Sequence, residues 1–214
     1  MPLTFSEIKS RTIVGIIYAS IFLLAARSPN HILLICLLSF LCISCLIEFH
    51  QVSRKSNNFF FKLLTPLIFI FFPIYCLFLI KSQFINGEDL LTFLILLIWS
   101  SDVSAFFTGK LFGKTKLTKH SPNKTLEGLL GSFIACLIIG PIIMLLMDIK
   151  FNINIYLLSF LISLSGNFGD YLESLLKRNF NKKDSGNILG SHGGIFDRID
   201  SLLVSAPLFY FILK

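Results

Sequence analysis

The segment from Ser174 to Asp200 carries the residue types that phosphate and metal chemistry requires. It reads SLLKRNFNKKDSGNILGSHGGIFDRID and contains five cations, three acids, one histidine and four glycines. Cations can hold phosphate oxygens, carboxylates can hold a hard divalent ion, and glycines let backbone N–H groups approach an anion. A basic loop that only orients a membrane protein would have a similar composition. The elements around the segment therefore decide between the two interpretations.

The composition is that of a membrane protein. Hydrophobic residues make up 54% of the 214 residues, 24 residues are phenylalanine, and only 14% are charged. A helix needs roughly 20 apolar residues to cross a bilayer, so the chain has room for about seven spans. We therefore predict an all-α polytopic integral membrane protein with about seven transmembrane helices.

The distribution of positive charge predicts the orientation. The net charge is +7, but the basic residues lie in short loops between apolar runs, so no nucleic acid partner is expected. Assigning loops alternately to two sides puts fifteen Lys and Arg on the side of the N-terminus and four on the other. Because cytoplasmic loops carry the excess, the N-terminus is predicted to be cytoplasmic. All five cysteines lie in apolar segments and are interpreted as helix-packing residues.

Apolar runs and turn residues give the approximate helix bounds. The runs are residues 12–26, 31–49, 59–80, 90–113, 125–147, 151–170 and 196–213. A kink is expected in the third at Pro66 or Pro73. The chain is interpreted as one integral domain, in which residues 1–89 are apolar spans without site motifs. Residues 90–214 form the catalytic half, with cytoplasmic loops at 110–124 and 171–198.

Asp102 lies inside the fourth predicted helix. An acid within a span costs a few kcal/mol at the bilayer centre, so it indicates a functional site, with a structural hydrogen bond between helices as the alternative. Ala105 and Gly109 follow at three and seven residues, on the same helical face. That face is small enough for another helix to approach closely.

Three other helices carry polar stripes to the cytoplasmic boundary. The spacing in each case places the residues on one helical face. The stripes are Ser159, Ser163, Asn167, Asp170, Ser174 and Lys177 on the sixth helix, Lys124, Glu127, Gly128, Gly131 and Ala135 on the fifth, and Asp197, Asp200 and Ser201 on the last. A loop that only set topology would not need such stripes.

The polar residues at this boundary suit phosphoryl chemistry. Asp170 and Asp197 come from different helices and could share Mg²⁺, which one or two carboxylates plus substrate phosphates commonly hold. Asp184 and Asp200 are second candidates. Cations that could neutralise phosphate charge are Lys124, Lys177, Arg178, Lys183 and Arg198. The run Ser191-His192-Gly193-Gly194 could form an anion nest ahead of a helix, although His192 alone is equally consistent with a solvated residue.

Three stretches resemble the phosphatidate cytidylyltransferase family, also called CDP-diacylglycerol synthases. The run S-L-L-K-R-x4-K-D-S-G-x3-G-x-H-G-G-I-F-D-R-I-D, from Ser174 to Asp200, is similar to the family's C-terminal signature. W-S-S-D-V-S-A-F-F-T-G-K-L-F-G (99–113) and S-P-N-K-T-L-E-G-L-L-G (121–131) resemble two earlier motifs in the same order. G-D-Y-L-E-S (169–174) also fits. The resemblance covers about residues 99–207, and the N-terminal half is similar only as a set of apolar spans.

The resemblance implies a Mg²⁺-dependent transfer of CMP from CTP to phosphatidic acid, giving CDP-diacylglycerol and pyrophosphate. The metal ligands would be Asp170 and Asp197. The catalytic residues would be Asp170, Asp197, Lys177, Arg178, Asp184 and Arg198. Substrates would be bound by Asp102, Ser121, Lys124, Thr125, Glu127, Ser174, Lys183, His192, Gly193, Gly194 and Asp200. The expected location is a bacterial inner membrane, with the active site facing the cytoplasm.

Several departures and alternatives remain. Gly190, Phe106 and Leu126 stand where many members have Pro, Tyr and Trp, and bacterial members usually carry one or two more spans before the Asp102 helix. The alternatives are a related enzyme, either a CTP-dependent lipid kinase or a synthase for another lipid phosphate, and a transporter or channel whose acids line an ion path. Apolar non-cytoplasmic helix halves disfavour the transporter. The sequence leaves open whether a second metal or monovalent ion joins Mg²⁺ and whether the protein forms a homodimer.

Overall fold

The fold consists of α-helices. The computed structural model describes residues 18–54, 58–118, 121, 124–180, 182, 185–186 and 194–214. In these ranges the helices are α1 (Tyr18–Arg27), α2 (His31–Ser53), α3 (Phe59–Gln83), α4 (Gly87–Phe112), α5 (Leu126–Leu146), α6 (Ile155–Asn179) and α7 (Phe196–Leu213). The extended pairing in these ranges is one isolated antiparallel bridge between Lys116 and Thr125. The predicted all-α fold is confirmed.

Within the described part of the chain, four helices, α2 to α5, are long and apolar enough to cross a membrane. Their outward surfaces carry exposed leucine, isoleucine and phenylalanine side chains, which a bilayer would cover. Helix α6 is similar in length, with 25 residues, and α7 is shorter, with 18, and both contain more polar residues. The predicted number of seven spans, and the cytoplasmic N-terminus, stay predictions.

Side-chain caps fix where several helices begin. Asn30, Asn58 and Asn154 each accept a hydrogen bond from a backbone N–H in the first turn of α2, α3 and α6, at 2.9 to 3.1 Å. Thr125 Oγ1 does the same for Gly128 of α5 at 3.1 Å. These acceptors satisfy N–H groups that have no partner inside the helix. The cap at Asn154 explains why α6 starts at Ile155 rather than near residue 151.

The end of α6 differs from the prediction. The sequence places the end of the sixth helix near Asp170 and a loop at 171–198, but α6 continues to Asn179. Lys177 pairs with Glu173 one turn earlier, at 2.7 Å, and Arg178 adds a second cation to the last turn. Both features stabilise a helix C-terminus. The predicted loop is therefore shorter, and Lys177 and Arg178 are helical.

Helix α3 is irregular between its two prolines. A π-helical turn at Leu67–Phe71 separates two α-helical parts, with Pro66 ending the first and Pro73 in the first turn of the second. Proline has no N–H to donate, so the regular bonding pattern must shift around it. The irregularity lies between the two positions at which a kink is predicted.

Helix α4 is the centre of the bundle and positions Asp102. It packs against α3, α5, α6 and α7. Its first half is buried on all sides, including Leu91, Phe93 and Leu97, whereas the second half from Asp102 onward is mostly exposed. An all-round apolar segment is what a helix needs when neighbours surround it. Asp102 therefore lies where α4 leaves the packed core.

Small residues let the helices that carry polar groups approach closely. A Cβ added to Gly128 of α5 would lie 2.8 Å from the carbonyl oxygen of Ala105 and 3.4 Å from Cα of Gly109, both on α4. A Cβ on Gly169 of α6 would lie 2.4 Å from the carbonyl oxygen of Asp200 on α7. The prediction that the Ala105 and Gly109 face admits another helix is confirmed.

Lys81 ties α3 to the end of α1. Its ammonium group is buried and donates to the carbonyl oxygens of Ala25 at 2.9 Å and Ser28 at 2.6 Å. We expect Lys81→Met to lower the free energy of unfolding by about 1–3 kcal/mol, because both acceptors lose their donor. Thermal unfolding in detergent measures this. Lys150→Met, at an exposed position, is the control, and equal unfolding temperatures for the two variants would contradict the prediction.

Candidate active site

A cavity of about 950 Å³ lies where α4, α5, α6 and α7 meet. Four carboxylates line it, contributed by Asp102, Asp170, Asp197 and Asp200. Three cations also line it, Lys110, Lys124 and Arg198. Apolar side chains form another part of the wall, namely Val103, Phe106, Leu117 and Leu129. The cavity thus combines a charged region with an apolar one.

Three helices contribute to a hydrogen-bonded network inside the cavity. The hydroxyl of Ser201 on α7 donates to Oδ1 of Asp170 on α6 at 2.7 Å, and it lies 3.4 Å from Oδ1 of Asp102 on α4. The other oxygen of Asp170 forms an ion pair with Lys124. The half-buried carboxylate of Asp170 needs such donors, because they replace water. Asp102 and Asp170 are therefore neighbours, linked by one hydroxyl group.

The chain before α5 holds Lys124 in place. The N–H of Leu117 donates to the carbonyl of Lys124 at 2.9 Å, and the N–H of Lys124 donates to the carbonyl of Ser121 at 3.1 Å. The Lys116–Thr125 bridge lies directly beside these bonds. Backbone pairing on both sides limits where the Lys124 side chain can reach, and it reaches Asp170.

Asp197 belongs to a second network at the start of α7. Its Oδ1 accepts a hydrogen bond from Lys177 of α6 at 2.8 Å. Its Oδ2 accepts from the N–H of Gly194 at 2.8 Å and lies 3.4 Å from the N–H of Ser185. Lys177 also pairs with Glu173 at 2.7 Å. One ammonium group thus bridges two carboxylates and joins α6 to α7.

The polar face of α6 continues from the cavity into the bundle. The amide of Asn167 donates to the hydroxyl of Ser132 on α5 at 3.0 Å, and the hydroxyl of Ser163 lies 2.8 Å from that of Ser101 on α4. Ser159, one turn further in, packs against Gly140, and its hydroxyl has no hydrogen-bond partner within the described residues. The predicted stripe on the sixth helix is thus a line of helix contacts that leads to Asp170.

The structure brings together most of the predicted site residues. Cavity-lining positions are taken by Asp102, Lys124, Thr125, Asp170, Asp197, Arg198 and Asp200. Lys177 and Gly194 contact Asp197 directly. Lys183, Asp184, His192 and Gly193 are outside the described residues, so their predicted roles stay predictions.

Besides Lys177 and Gly194, four predicted residues in the described ranges do not line this cavity. Ser121 acts through its carbonyl, which accepts from the backbone of Lys124. Gly128 lines the cavity, and Glu127 lies about 100° around α5 from it. Glu127 therefore points elsewhere and accepts hydrogen bonds from the N–H of Thr115 at 3.1 and 3.2 Å. Arg178 is exposed and donates to the carbonyl of Lys182 at 3.3 Å, and Ser174 is half-buried on α6. Their predicted roles as substrate or catalytic residues stay predictions.

Sequence reasoning missed Glu48. This residue lies on α2, in the half of the chain to which no site motif is assigned, yet its side chain is fully buried against the residues before Asp197. The signal is weak, because Glu48 lies at the end of the predicted run 31–49, where an acid costs less than at Asp102 inside its helix. Residues 1–89 therefore contribute a buried carboxylate next to Asp197, and the predicted division of the chain stays a prediction.

The donor set suits a hard divalent cation. Four carboxylates and three cations line the cavity, so its acids outnumber its bases by one. In the described ranges no three His, Cys, Asp or Glu side chains converge as a ready-made metal cage. Mg²⁺ fits such a site, since it is usually held by one or two carboxylates and completes its shell with water and substrate phosphates. Asp170 and Asp197 remain the residues predicted to hold it.

Helices and cavity together define an integral membrane protein with a charged, partly apolar pocket at the end of its packed core. A sequence model of the Cytidylyltransferase family matches residues 4–214, and the chain belongs to this family. The resemblance stated from the motifs is thereby confirmed.

Curated relatives agree with this assignment. The phosphatidate cytidylyltransferase of Bacillus subtilis (strain 168) is 43% identical over 129 residues, which make up 59% of this chain and 48% of the relative. Those of Staphylococcus haemolyticus (strain JCSC1435) and Staphylococcus aureus (strain COL) are 44% and 42% identical over 132 residues, 60% of this chain and 50% of each relative. The chain spans about half the length of the curated relatives that it matches.

Proposed function

We propose that this protein transfers CMP from CTP to phosphatidic acid, forming CDP-diacylglycerol and pyrophosphate in phospholipid biosynthesis. The observation that carries the proposal is the cavity in which Asp102, Asp170, Asp197 and Asp200 meet Lys124 and Arg198 beside an apolar wall. A phospholipid has a charged headgroup and apolar chains, so its binding site needs a charged surface and an apolar one. The family assignment and the names of the relatives support the same reaction.

The apolar wall supports a lipid acceptor. Val103 and Phe106 line the cavity and are exposed on 55% and 62% of their surfaces. Such side chains on a membrane helix are covered by lipid. A lipid phosphate at Lys124 could therefore keep its acyl chains against the wall and the bilayer, while CTP enters from the aqueous side.

The residues of the cavity can position two anionic substrates. Lys124, Lys110 and Arg198 supply positive charge for phosphate oxygens. When bound by carboxylates such as Asp170 and Asp197, Mg²⁺ would neutralise charge on the triphosphate. A lipid phosphate is already an anion near neutral pH, so direct attack on the α-phosphorus of CTP depends mainly on alignment and charge neutralisation. We therefore propose no covalent enzyme intermediate.

The proposal includes the arrangement in the membrane. The apolar runs and the chain length support about seven spans, and the excess of Lys and Arg supports a cytoplasmic N-terminus. The bacterial relatives support the inner membrane. CTP is a cytoplasmic nucleotide, so the cavity should face that side. A cysteine introduced at Lys110, at the cavity rim, should then react with an impermeant thiol reagent only from the cytoplasmic side, in a background from which the native cysteines are removed.

The experiment that tests the function is an assay of the purified protein with radiolabelled CTP, phosphatidic acid and Mg²⁺. We expect labelled CDP-diacylglycerol and one pyrophosphate per labelled lipid. Release of CDP with a phosphorylated lipid would instead identify a CTP-dependent lipid kinase. No labelled lipid with Mg²⁺ present would overturn the proposal, and labelled protein after incubation with CTP alone would overturn the direct attack.

A further inference from the structure

The first turn of α7 rests on a carboxylate from the N-terminal half of the chain. Glu48 of α2 is fully buried, with both carboxylate oxygens in hydrogen bonds. Oε1 accepts from the N–H of Ile195 at 3.0 Å, and Oε2 accepts from the N–H of Phe196 at 2.8 Å. Backbone N–H groups at a helix start have no partner inside the helix. Glu48, which is 147 and 148 residues away from them in sequence, supplies the acceptors for these two N–H groups.

Glu48 also holds the segment that contains Ser185. The hydroxyl of Ser185 donates to Oε2 of Glu48 at 3.3 Å. A Cβ on Gly186 would lie 2.6 Å from Cγ of Glu48, and a Cβ on Gly194 would lie 2.5 Å from Oε2. The backbone at both glycines therefore approaches the carboxylate directly. One side chain thus fixes two segments of the chain, residues 185–186 and 194–196.

Asp197 is held by the same two segments from its own side. Its Oδ2 accepts from the N–H of Gly194 at 2.8 Å and lies 3.4 Å from the N–H of Ser185. Asp197 directly follows Phe196, whose N–H donates to Glu48. Any shift in how α7 begins would therefore move the Asp197 carboxylate relative to Asp170 across the cavity.

Position 48 holds a charged carboxylate, although a neutral side chain would be sufficient to cap the helix. A neutral side chain could accept hydrogen bonds from N–H groups, whereas a buried charge in an apolar helix costs additional free energy. Negative charge at a helix N-terminus strengthens both hydrogen bonds and holds the first turn more tightly. Tight placement matters for a reaction whose catalysis is mostly alignment, because a shift of about 1 Å can cost about 100-fold in rate.

We propose that Glu48 is a positioning residue for Asp197, so that α2 takes part in the active site although it does not line the cavity. The inference rests on the proposed function, in which Asp197 helps to hold Mg²⁺ and the triphosphate. Glu48 acts through the start of α7 and touches neither substrate.

The test compares Glu48→Gln with the control Ser53→Ala. Ser53 is buried on the same helix, and its hydroxyl has no hydrogen-bond partner within the described residues. The glutamine keeps one acceptor, but its NH₂ group faces an N–H donor and the charge is lost. We expect kcat to fall about 10- to 100-fold with KM for phosphatidic acid within about twofold. The Mg²⁺ concentration for half-maximal rate should rise, and Ser53→Ala should change neither.

Glu48→Asp keeps the charge with one methylene less, and it should recover part of the lost kcat. If the glutamine variant does not fold, Glu48→Asp serves in its place, because the shorter side chain cannot reach both N–H groups as well as glutamate and should still leave kcat more than about twofold below wild type. If the folded variant keeps kcat and the Mg²⁺ midpoint within about twofold of wild type while only its unfolding temperature falls, Glu48 is structural and the proposal is overturned.

Hydrogen exchange separates this inference from the proposed function. In the protein without substrates, amides at the start of α7 should exchange faster in Glu48→Gln than in wild type or Ser53→Ala. Unchanged exchange there overturns the anchoring whether or not the protein makes lipid. Absence of labelled lipid in wild type, by contrast, overturns the proposed function while the exchange result still decides the anchoring.

Discussion

Asp170→Asn should lower the rate of CTP-dependent lipid labelling by about 100-fold or more. Asp170 contacts Ser201 at 2.7 Å and Lys124 by an ion pair, and it lines the cavity beside Asp102. The amide leaves Lys124 without its counter-charge and removes a carboxylate that is predicted to hold Mg²⁺. Because the amide has nearly the same size, the loss should come from charge rather than from packing.

The measurement is kcat of the purified variant at several Mg²⁺ concentrations, with Asp148→Asn as control. Asp148 is an exposed acid in the turn after α5, with a φ of 51° that asparagine also adopts readily. The control should retain wild-type activity. Near-full activity of Asp170→Asn would refute its role in holding the metal.

How far the sequence predicts this site can be judged from Asp102 and Asp170. The sequence predicts Asp102 because an acid inside a span has a cost, and it predicts Asp170 because helical spacing places it on a polar stripe. The structure confirms that both faces meet at one cavity. Periodicity alone predicts such faces, since it depends only on residues within one helix.

The pairings within the cavity could not be predicted in the same way. That Asp170 and Asp197 share an ion stays a prediction. Their direct partners in the described residues are Lys124 and Ser201 for Asp170, and Lys177 and the N–H of Gly194 for Asp197. Which side chain meets which depends on how α4, α6 and α7 cross. Those crossings depend on close contacts such as Gly169 against the Asp200 backbone.

The contacts of Glu48 could not be predicted either, because they join residues far apart in the sequence. Local patterns in α2 predict a helix with apolar faces, and nothing near position 48 indicates that its partners are Ile195 and Phe196. Likewise, the sixth apolar run ends at residue 170, so the sequence predicts the end of the helix there. Instead, the Glu173–Lys177 pair and the basic last turn keep the helix intact to Asn179.

Asp197→Asn should reduce kcat by about 100-fold, and its effect should overlap with that of Lys177→Met. Asp197 accepts from Lys177 at 2.8 Å and from the N–H of Gly194 at 2.8 Å. An asparagine can keep only one of these two bonds with its oxygen, because its NH₂ group is a donor. Lys177→Met, in turn, leaves Glu173 and Asp197 as neighbouring carboxylates without the ammonium group that bridges them.

A double-mutant cycle with kcat as readout tests whether these residues act as one unit. If Lys177 works by holding Asp197, Lys177→Met should cost about tenfold or more in the wild-type background and much less in Asp197→Asn. Full additivity would mean that Lys177 acts on the rate independently of Asp197. Lys182→Met is the matched control, because Lys182 is a nearby lysine whose ammonium group donates to the carbonyl of Gln51 at 2.5 Å, away from Asp197. A loss in the control as large as that in Lys177→Met would show that general positive charge, rather than the bridge between α6 and α7, sets the rate.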